Sequence, residues 1–391
     1  MAVAPETAGG PLAGILVLDL TRVLAGPFAA MQLLDLGARV VKIERPGTGD
    51  DARHIGPFVD GASVYFASVN RGKESIALDL KDPRDLALFE RLLAKADVLL
   101  ENYRGGTMEK LGLGWDVLAR RHPRLVYAAV SGFGHSGPYA QKPAYDMVVQ
   151  AMGGIMSLTG HPGGPATRVG TSIGDLAAGL FCATGILAAL YDRKSTGRGQ
   201  KVDVSMLDCQ VAFLENAIAR YFATGTVPGP LGSRHPSIAP FAAFRAGDGA
   251  LVIAAGNDEL FRRLTEILAL PEAAADPRFV SNASRTEHAE ALAEILERAL
   301  ARGTVADWLA RLEAAGIPCG PINSVADVVA DPQVRARNMI VTADGGPLGP
   351  FPVAGNPMKL SAHADPATRG RVPALDADRA RILAELGISG E

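Results

Sequence analysis

Short runs of β-forming residues alternate with helical stretches through the first half of the chain, and this alternation limits the possible folds more than any other feature. Strands are predicted at residues 15–20, 39–44, 75–80, 97–101 and 125–130. Helices are predicted between them, for example over residues 28–36 and 83–96. Strands that alternate with helices of this length form βαβ units, in which the strands lie parallel. The pattern therefore predicts an α/β fold with a Rossmann-like large domain.

The pattern of alternating strands and helices ends after residue 205. A helix is predicted over residues 207–223, a connector rich in Gly and Pro over 225–236, and a β-hairpin over 238–256. Residues 258–329 then carry Ala and Leu at helical spacing. We therefore predict a large domain made of 1–205 and 335–391, a linker helix and connector at 206–230, and a smaller α+β domain at 231–334.

The overall composition excludes several classes of function. A chain of 391 residues that is 48% hydrophobic can bury at least one large core. Its 39 Lys and Arg residues nearly balance 42 Asp and Glu residues, so bulk charge provides no surface for nucleic acid or a membrane. Three scattered cysteines without a CxxC pair indicate a reducing compartment. We therefore expect a cytoplasmic protein.

The sequence contains no convincing motif for a dinucleotide or a metal. The run GFGHSG at residues 132–137 matches GxGxxG and follows a strand. Pro138 and Pro143, however, oppose the helix that must begin there to hold a pyrophosphate. The seven histidines show no HxxxH or HExxH spacing, so no metal site is predicted. We interpret residues 132–137 as a turn-rich loop of an active site.

Asp175 is a lone carboxylate at the start of the uncharged segment LAAGLFCATGILAALY (176–191), which has apolar residues at helical spacing. Gly174 lets the backbone crowd this carboxylate, and the helix presents free N–H groups to its oxygens. Such a carboxylate should stay ionised, as a covalent nucleophile requires. The alternative is that Asp175 only caps the helix, which is a common use of Asp.

Basic residues follow the predicted strands. The set comprises Lys42, Arg45, Arg71, Lys73, Lys81, Arg104 and Lys110. Each could be an ordinary solvated surface residue. The carboxyl ends of parallel strands are nevertheless where α/β sheets bind ligands. Several cations converging there suit a ligand with more than one phosphate.

Seven motifs taken together resemble the class III CoA-transferases, the family that includes formyl-CoA:oxalate and carnitine CoA-transferases and the α-methylacyl-CoA racemases. The motifs are VLDLTRVLAGPFAAMQLLDLGARVVKIERPGTGD (17–50), SVNRGKESIALDLK (68–81), ADVLLENYRGG (96–106), SGFGHSGPYAQKPAYD (131–146), VGTSIGDLAAG (169–179), KSTGRGQKVDVSMLD (194–208) and AGIPCGPINS (315–324). Together they are specific, although no single one is.

The resemblance implies features that composition and spacing do not show. Family members are interlocked homodimers, in which each chain is an open ring threaded by the other. Asp175 is implied as the nucleophile, which forms an acyl-aspartyl anhydride and then an aspartyl-CoA thioester. Acyl-CoA is a substrate in this chemistry, and no resident cofactor or metal is needed. The implied CoA contacts are Arg45, Leu78, Lys81, Asn102, Tyr103, Arg104, Lys110, Lys142 and Tyr145.

Departures from the family pattern bear on the substrates. Formyl-CoA enzymes carry a glutamine where this chain has Leu24, and a glycine loop that residues 254–258 lack. The runs LGSRHPSIAPF (231–241) and GNDELF (256–261) resemble acetyl-CoA:oxalate and succinyl-CoA:glutarate transferases. We therefore expect acetyl-CoA or succinyl-CoA as donor and a short dicarboxylic acid such as oxalate or glutarate as acceptor. Arg22, His235 and Ser237 are the candidates for binding the acceptor carboxylate.

The alternative within the same fold is a CoA-ester racemase. Racemisation needs an acid–base pair across the α-carbon of the substrate. The racemases have a histidine where this chain has Tyr145, just before Asp146. Tyrosine ordinarily has a pKa of about 10, which makes it a poor base at neutral pH, so transfer is favoured. A non-catalytic CoA-binding module is harder to reconcile with an intact Asp175 motif.

Overall fold

A computed structural model describes residues 9–388 of the chain. Residues 1–8 and 389–391, which the sequence assigns to the large domain, lie outside the described residues. The described residues form two compact units. The first comprises those up to Met156, Arg168–Thr226 and those from Pro332 onward, and the second comprises Ser157–Thr167 and Val227–Asp331.

The strands occupy short and mostly apolar runs. In chain order they are β1 Leu16–Asp19, β2 Arg39–Glu44, β3 Phe58–Val59, β4 Ala62–Ser63, β5 Glu74–Ala77, β6 Val98–Glu101, β7 Val126–Ser131, β8 Lys201–Ser205, β9 Phe241–Arg245, β10 Ala250–Ala254, β11 Cys319–Pro321, β12 Ile340–Asp344, β13 Pro350–Ala354 and β14 Thr368–Arg369.

The helices connect these strands. They are α1 Ala25–Asp35, α2 Val64–Asn70, α3 Pro83–Leu93, α4 Thr107–Lys110, α5 Trp115–Arg121, α6 Asp146–Met152, α7 Ile155–Leu158, α8 Ile173–Thr196, α9 Met206–Phe213, α10 Glu215–Thr224, α11 Asp258–Ile267, α12 Pro271–Ala275, α13 Asn282–Glu287, α14 Ala289–Leu300, α15 Val305–Ala314, α16 Val325–Ala330, α17 Pro332–Ala336 and α18 Arg379–Glu385. Single turns of 3₁₀ helix lie at Asp51–His54 and Gly346–Leu348.

One sheet organises the first unit. Its order is β5-β2-β1-β6-β7-β8, and every neighbouring pair is parallel. Counted along the chain, these strands run 3-2-1-4-5-6, which is the order of the Rossmann doubly wound fold. The predicted α/β architecture with a parallel central sheet is therefore confirmed. The order reverses between β1 and β6, and such a reversal opens a crevice at the carboxyl ends of the two strands.

The long helix α8 packs into the core of this unit. Its residues Cys182 and Ile186 are fully buried in one cluster with Val126 of β7. The helix ends at Gly197, whose φ of 70° gives the left-handed cap that favours glycine. By length and composition α8 is the one helix among residues 9–388 that could cross a membrane, a test that core helices also pass.

The C-terminal segment returns to the first unit and covers the outer edge of its sheet. The Ser75 N–H of β5 donates to Asp378 Oδ2 at 2.9 Å, and the Asp378 N–H donates to the Ser75 carbonyl at 3.1 Å. The Ala77 N–H donates to Asp376 Oδ1 at 2.8 Å. These contacts satisfy groups that an edge strand would otherwise leave unpaired.

The second unit has its own sheet and core. The antiparallel hairpin predicted over residues 238–256 is present as β9 and β10, with Arg245 paired to Ala250. Strand β11 completes the sheet. Apolar faces of α11, α14 and α15 cover it and bury residues such as Leu264, Leu296 and Trp308.

Two boundaries differ from the prediction. The proposed linker lies mostly in the first unit, because Met206 and Cys209 of α9 are buried in its core. The single helix predicted there is two helices separated at Leu214, and Glu215, which begins the second helix, has a φ of 20°. Residues 157–167, predicted as large domain, belong to the second unit, where the Gly160 carbonyl accepts from the Gly232 N–H at 2.8 Å.

Candidate active site

Loops at the carboxyl ends of three central strands build the candidate site. Thr21 and Arg22 follow β1, Asn102 and Tyr103 follow β6, and Gly132 follows β7. Because β1 and β6 flank the point where the strand order reverses, these loops open onto the crevice between them. Two cavities occupy this edge of the sheet.

The larger one, the cation-lined cavity, measures about 530 Å³. Six of the nine residues assigned to CoA by resemblance line it: Arg45, Leu78, Lys81, Tyr103, Arg104 and Lys110. Arg22 and Gly49 also line it, as do the acidic residues Glu44, Asp50 and Asp79. Basic side chains that are far apart in sequence therefore face one space, which suits a ligand with several negative charges.

The smaller one, the Asp175 cavity, measures about 230 Å³. It contains Asp175 together with Leu24 and further residues assigned from the sequence, namely Arg22, Asn102, Tyr103, Arg104, Lys142 and Tyr145. Arg22, Tyr103 and Arg104 line both cavities. One extended ligand can therefore place an anionic end in the first and a reacting end in the second.

The remaining two candidates, His235 and Ser237, belong to the second unit. There the Ser237 N–H donates to His235 Nδ1 at 3.1 Å, and the His235 ring lies 5.4 Å from the ring of Phe241. Their part in binding an acceptor stays a prediction.

Asp175 is the third residue of α8 and is partly buried. The expectation that helix N–H groups would keep it ionised is wrong. The Gly174 N–H donates instead to Asp146 Oδ1 at 2.8 Å, and no described residue donates a hydrogen bond to the Asp175 carboxylate. Burial, and next the charge of Asp146, raise the pKa of Asp175 to about 7. The cap hypothesis is not supported either, because the residue at the cap position is Ser172.

Asp146 and Gln150 form a buried support for the start of α8 that sequence reasoning missed. Gln150 Nε2 donates to Asp146 Oδ2 at 2.8 Å, and Gln150 Oε1 accepts from the Val169 N–H at 2.9 Å. A Cβ on Gly174 would lie 2.8 Å from Val149 Cγ2 and 3.0 Å from Asp146 Oδ1, so glycine permits this approach without a shift of either side chain. The spacing of Asp146 and Gln150 on one helix face was the available clue.

The charges of this cluster also act on a tyrosine that the sequence did not single out. Burial, followed by the charges of Asp175, Asp50 and Asp146, raises the pKa of Tyr65 to about 12. The phenol of Tyr65 therefore keeps its proton at neutral pH and remains a hydrogen-bond donor.

Replacing Asp146 with asparagine should shift the ionisation of Asp175 towards lower pH. The substitution removes the like charge that disfavours the Asp175 carboxylate, but burial is the larger cause and persists. The acid limb of a plot of kcat/KM against pH should therefore move down without reaching the ordinary range of Asp. An unchanged acid limb would assign that limb to a group other than Asp175.

The run GFGHSG does not continue into a helix. Residues 138–145 form turns and extended chain, and α6 begins only at Asp146. The prediction of a loop rather than a pyrophosphate-binding helix start is thus confirmed. Among residues 9–388 there is no group of three or more His, Cys, Asp or Glu side chains that could hold a metal ion.

A doubly wound parallel sheet with adjoining cavities at its reversal point defines an α/β protein that binds its ligand at the carboxyl ends of the strands. The sequence model of CoA-transferase family III matches residues 12–379, so the chain belongs to this family.

Named relatives and a solved structure agree with this assignment. The chain is 50% identical to acetyl-CoA:oxalate CoA-transferase of Acetobacter aceti, over 97% of each chain. It is 42% identical to succinyl-CoA:glutarate CoA-transferase of Mus musculus, over 90% of this chain and 81% of the relative. It matches the crystal structure of a CAIB/BAIF family protein from Brucella suis with a TM-score of 0.85 and 40% identity, over 96% and 99% of the two chains.

Proposed function

We propose that this enzyme transfers CoA from acetyl-CoA or succinyl-CoA to a short dicarboxylic acid such as oxalate or glutarate, through an aspartyl-CoA thioester on Asp175. The observation that carries the proposal is the shared wall of the two cavities. Arg22, Tyr103 and Arg104 border both the cation-lined space and the space that holds Asp175. A ligand with a phosphorylated end and a thioester end matches this arrangement.

The chemistry is a sequence of acyl exchanges. An Asp175 oxygen attacks the thioester carbonyl, the C–S bond breaks, and CoA leaves as a thiolate. The thiolate then attacks the side-chain carbonyl carbon of Asp175, which releases the donor acid and leaves the aspartyl-CoA thioester. An oxygen of the acceptor carboxylate attacks that thioester, and the returning thiolate takes the acceptor acyl group and frees Asp175. Acyl groups of comparable energy are traded, so no resident cofactor is required.

The pKa of Asp175 suits this role. With a pKa of about 7, roughly half of the molecules carry the nucleophilic carboxylate at neutral pH. A carboxylate that is neither hydrogen-bonded by described residues nor paired with a cation keeps its lone pairs available for attack. Burial thus lowers the fraction of Asp175 that is ionised, but it makes the ionised carboxylate a stronger nucleophile.

The acceptor carboxylate is assigned to Arg22, with His235 and Ser237 as further candidates. Arg22 Nη1 bonds Asp51 Oδ2 at 2.9 Å, and its guanidinium lies 5.5 Å from the centre of the Tyr103 ring. An exposed ion pair of this kind is weak and can exchange partners. The similarity to an acetyl-CoA:oxalate and to a succinyl-CoA:glutarate CoA-transferase supports a dicarboxylic acid as acceptor.

An interlocked homodimer in the cytoplasm is part of the proposal. Apolar side chains on α8, α9 and α10 are 40% to 80% exposed in the single chain: Leu180, Phe181, Val211, Phe213, Tyr221 and Phe222. A concentration of such residues is typical of a surface that a partner covers. Light scattering after gel filtration should give twice the mass of one chain.

A single assay tests the proposed reaction. Acetyl-, succinyl- and formyl-CoA are each mixed with oxalate, glutarate and related acids, and the CoA esters are separated by chromatography. We expect a new CoA ester only when donor and acceptor are both present. Exchange of an α-deuterium in a branched acyl-CoA, monitored in parallel, would instead support the racemase.

Replacing basic residues of the cation-lined cavity should raise the KM for acyl-CoA more than it lowers kcat. Arg45 and Lys110 are exposed and line only the cation-lined cavity, away from Asp175. Their contacts should be equally strong in the ground state and the transition state, so each substitution by alanine should raise the KM for acyl-CoA by about tenfold. Arg84→Ala is the matched control, since Arg84 is exposed and lies outside both cavities. A large loss of kcat at saturating acyl-CoA would place Arg45 or Lys110 at the reacting centre.

A further inference from the structure

The wall of the Asp175 cavity contains a strained backbone. Val23 has a φ of 67°, and a β-branched residue is a genuine outlier in this region. It lines the cavity together with Leu24 and Ala25, at the start of α1. Strain of this kind persists only where the surroundings fix the conformation.

Side chains hold the successive backbone polar groups of this segment. The Thr21 carbonyl accepts from Lys42 Nζ at 2.7 Å. The Arg22 N–H donates to Asn102 Oδ1 at 2.9 Å, and the Arg22 carbonyl accepts from Asn102 Nδ2 at 2.7 Å. The Val23 N–H donates to Asp50 Oδ1 at 3.0 Å. None of these bonds belongs to a helix or a sheet.

Lys42 and Asp50 act as one buried unit. Their side chains are 0% and 1% exposed, and Lys42 Nζ lies 2.8 Å from Asp50 Oδ2. Burial alone would lower the pKa of Lys42, but the nearby carboxylates, Asp19 foremost, raise it above the ordinary lysine value, so the ammonium stays charged. A buried ion pair contributes little net stability compared with apolar residues of the same size. The main effect of this pair is therefore to hold the backbone groups that it contacts.

Close packing links this segment to the nucleophile helix. A Cβ on Gly26 would lie 2.3 Å from the Thr21 side chain, so the start of α1 is seated directly on the strained segment. A Cβ on Gly179 would lie 2.6 Å from the Ala25 carbonyl oxygen. Gly179 lies four residues after Asp175 in α8, which places it about one turn away. A shift of the segment would therefore alter the wall beside the nucleophile.

We propose that Lys42 and Asp50 are positioning residues of the transfer reaction, because they hold Thr21, Arg22 and Val23 in the conformation that shapes the Asp175 cavity. This inference rests on the proposed function and adds to it a pair of residues outside the reacting centre. A misplacement of about 1 Å in an active site can cost about a hundredfold in rate.

The test compares kcat with KM in three variants. Lys42→Met and Asp50→Ala should each lower kcat by about a hundredfold, while the KM for acyl-CoA changes by less than about threefold. Asp50→Asn should retain more activity than Asp50→Ala, since its amide oxygen can still accept the Val23 N–H. This conservative variant also keeps the test decisive if the alanine variant does not fold.

Asp35→Asn is the matched control. Asp35 forms an equally buried ion pair with Arg71 at 2.7 Å and lies at the opposite end of α1. Its loss should reduce stability but leave kcat unchanged. Hydrogen exchange of the peptide covering residues 20–26 provides a readout that needs no activity, and exchange should accelerate in Lys42→Met and Asp50→Ala but not in Asp35→Asn.

The outcomes separate the two proposals. An active wild type with unchanged kcat in Lys42→Met and Asp50→Ala overturns the positioning role, as does an equal loss of kcat in Asp35→Asn. A wild type that transfers no CoA overturns the proposed function instead. In that case unchanged hydrogen exchange at residues 20–26 still overturns the structural part of the inference.

Discussion

Replacement of Asp175 with asparagine is expected to abolish CoA transfer and, at the same time, to stabilise the fold at alkaline pH. Transfer should fall at least about a thousandfold, because an amide cannot form the anhydride or the thioester. The gain in the free energy of unfolding should be about 4 kcal/mol at pH 8, which corresponds to the rise in the pKa of Asp175 from 3.8 to about 7, because the variant no longer buries a charge.

The sign of the stability effect follows from the pKa of Asp175. Folding raises this pKa from 3.8 to about 7. Between these two values the folded state binds more protons than the unfolded chain, so the wild type loses stability as the pH rises from about 4 to about 7. Asparagine does not titrate, and its advantage should be small at pH 4.5 and largest above pH 7.

Urea unfolding of both proteins at pH 4.5 and pH 8, together with the transfer assay, measures the two effects. The combination distinguishes a nucleophile from a helix cap. Asparagine caps a helix about as well as aspartate, so if Asp175 were only a cap the variant would keep both its stability and its activity. Substantial transfer by Asp175→Asn, or a lower stability at pH 8, would contradict the assignment of Asp175 as a nucleophile held in a desolvated site.

The sequence predicts the sheet well because its strands are short, apolar and separated by helices of regular length. Strand β2, for example, has the predicted bounds Arg39–Glu44. The helix predicted over 207–223 is interrupted at Leu214, just before Glu215 with its φ of 20°, although its apolar periodicity continues and no Gly or Pro marks the break. Hydrophobic periodicity shows which residues share an apolar face, but it does not show whether the helix is interrupted between them.

The candidate site is predictable where it depends on topology. Lys81 and Lys110 line one cavity because parallel strands end at the same edge of the sheet. The structure shows that the two residues line the same cavity, whereas their assignment to CoA stays a prediction. The same topology brings the loops carrying Arg22 and Asn102 together across the reversal point.

The protonation of Asp175 could not be predicted in the same way. The local argument considered only the helix that follows Asp175, whereas the pKa of Asp175 is raised first by burial and next by Asp146, which lies 28 residues before Gly174 in the chain. Asp146 accepts a hydrogen bond from the Gly174 N–H and adds a negative charge near the nucleophile. Long-range contacts between two acids leave no trace in hydrophobic periodicity.

A covalent adduct on Asp175 is expected when the enzyme meets a donor acyl-CoA without an acceptor. A carboxylate nucleophile is then left as the anhydride or as the CoA thioester, and hydroxylamine attacks both. Hydroxylamine should convert Asp175 to a hydroxamate only in the presence of acyl-CoA, and borohydride should reduce the thioester to an alcohol. Mass spectrometry of the peptide covering residues 169–193 would identify either product.

Asp175→Asn is the control for chemistry elsewhere on the chain, because it should show neither product. Asp146→Asn, which keeps the nucleophile, should still form the adduct, and at lower pH than the wild type because Asp175 ionises more readily. A racemase exchanges an α-proton and forms no acyl-enzyme. An unmodified peptide 169–193 under conditions in which wild-type enzyme turns over would therefore rule out the two-step exchange through Asp175, whatever the identity of the donor and the acceptor.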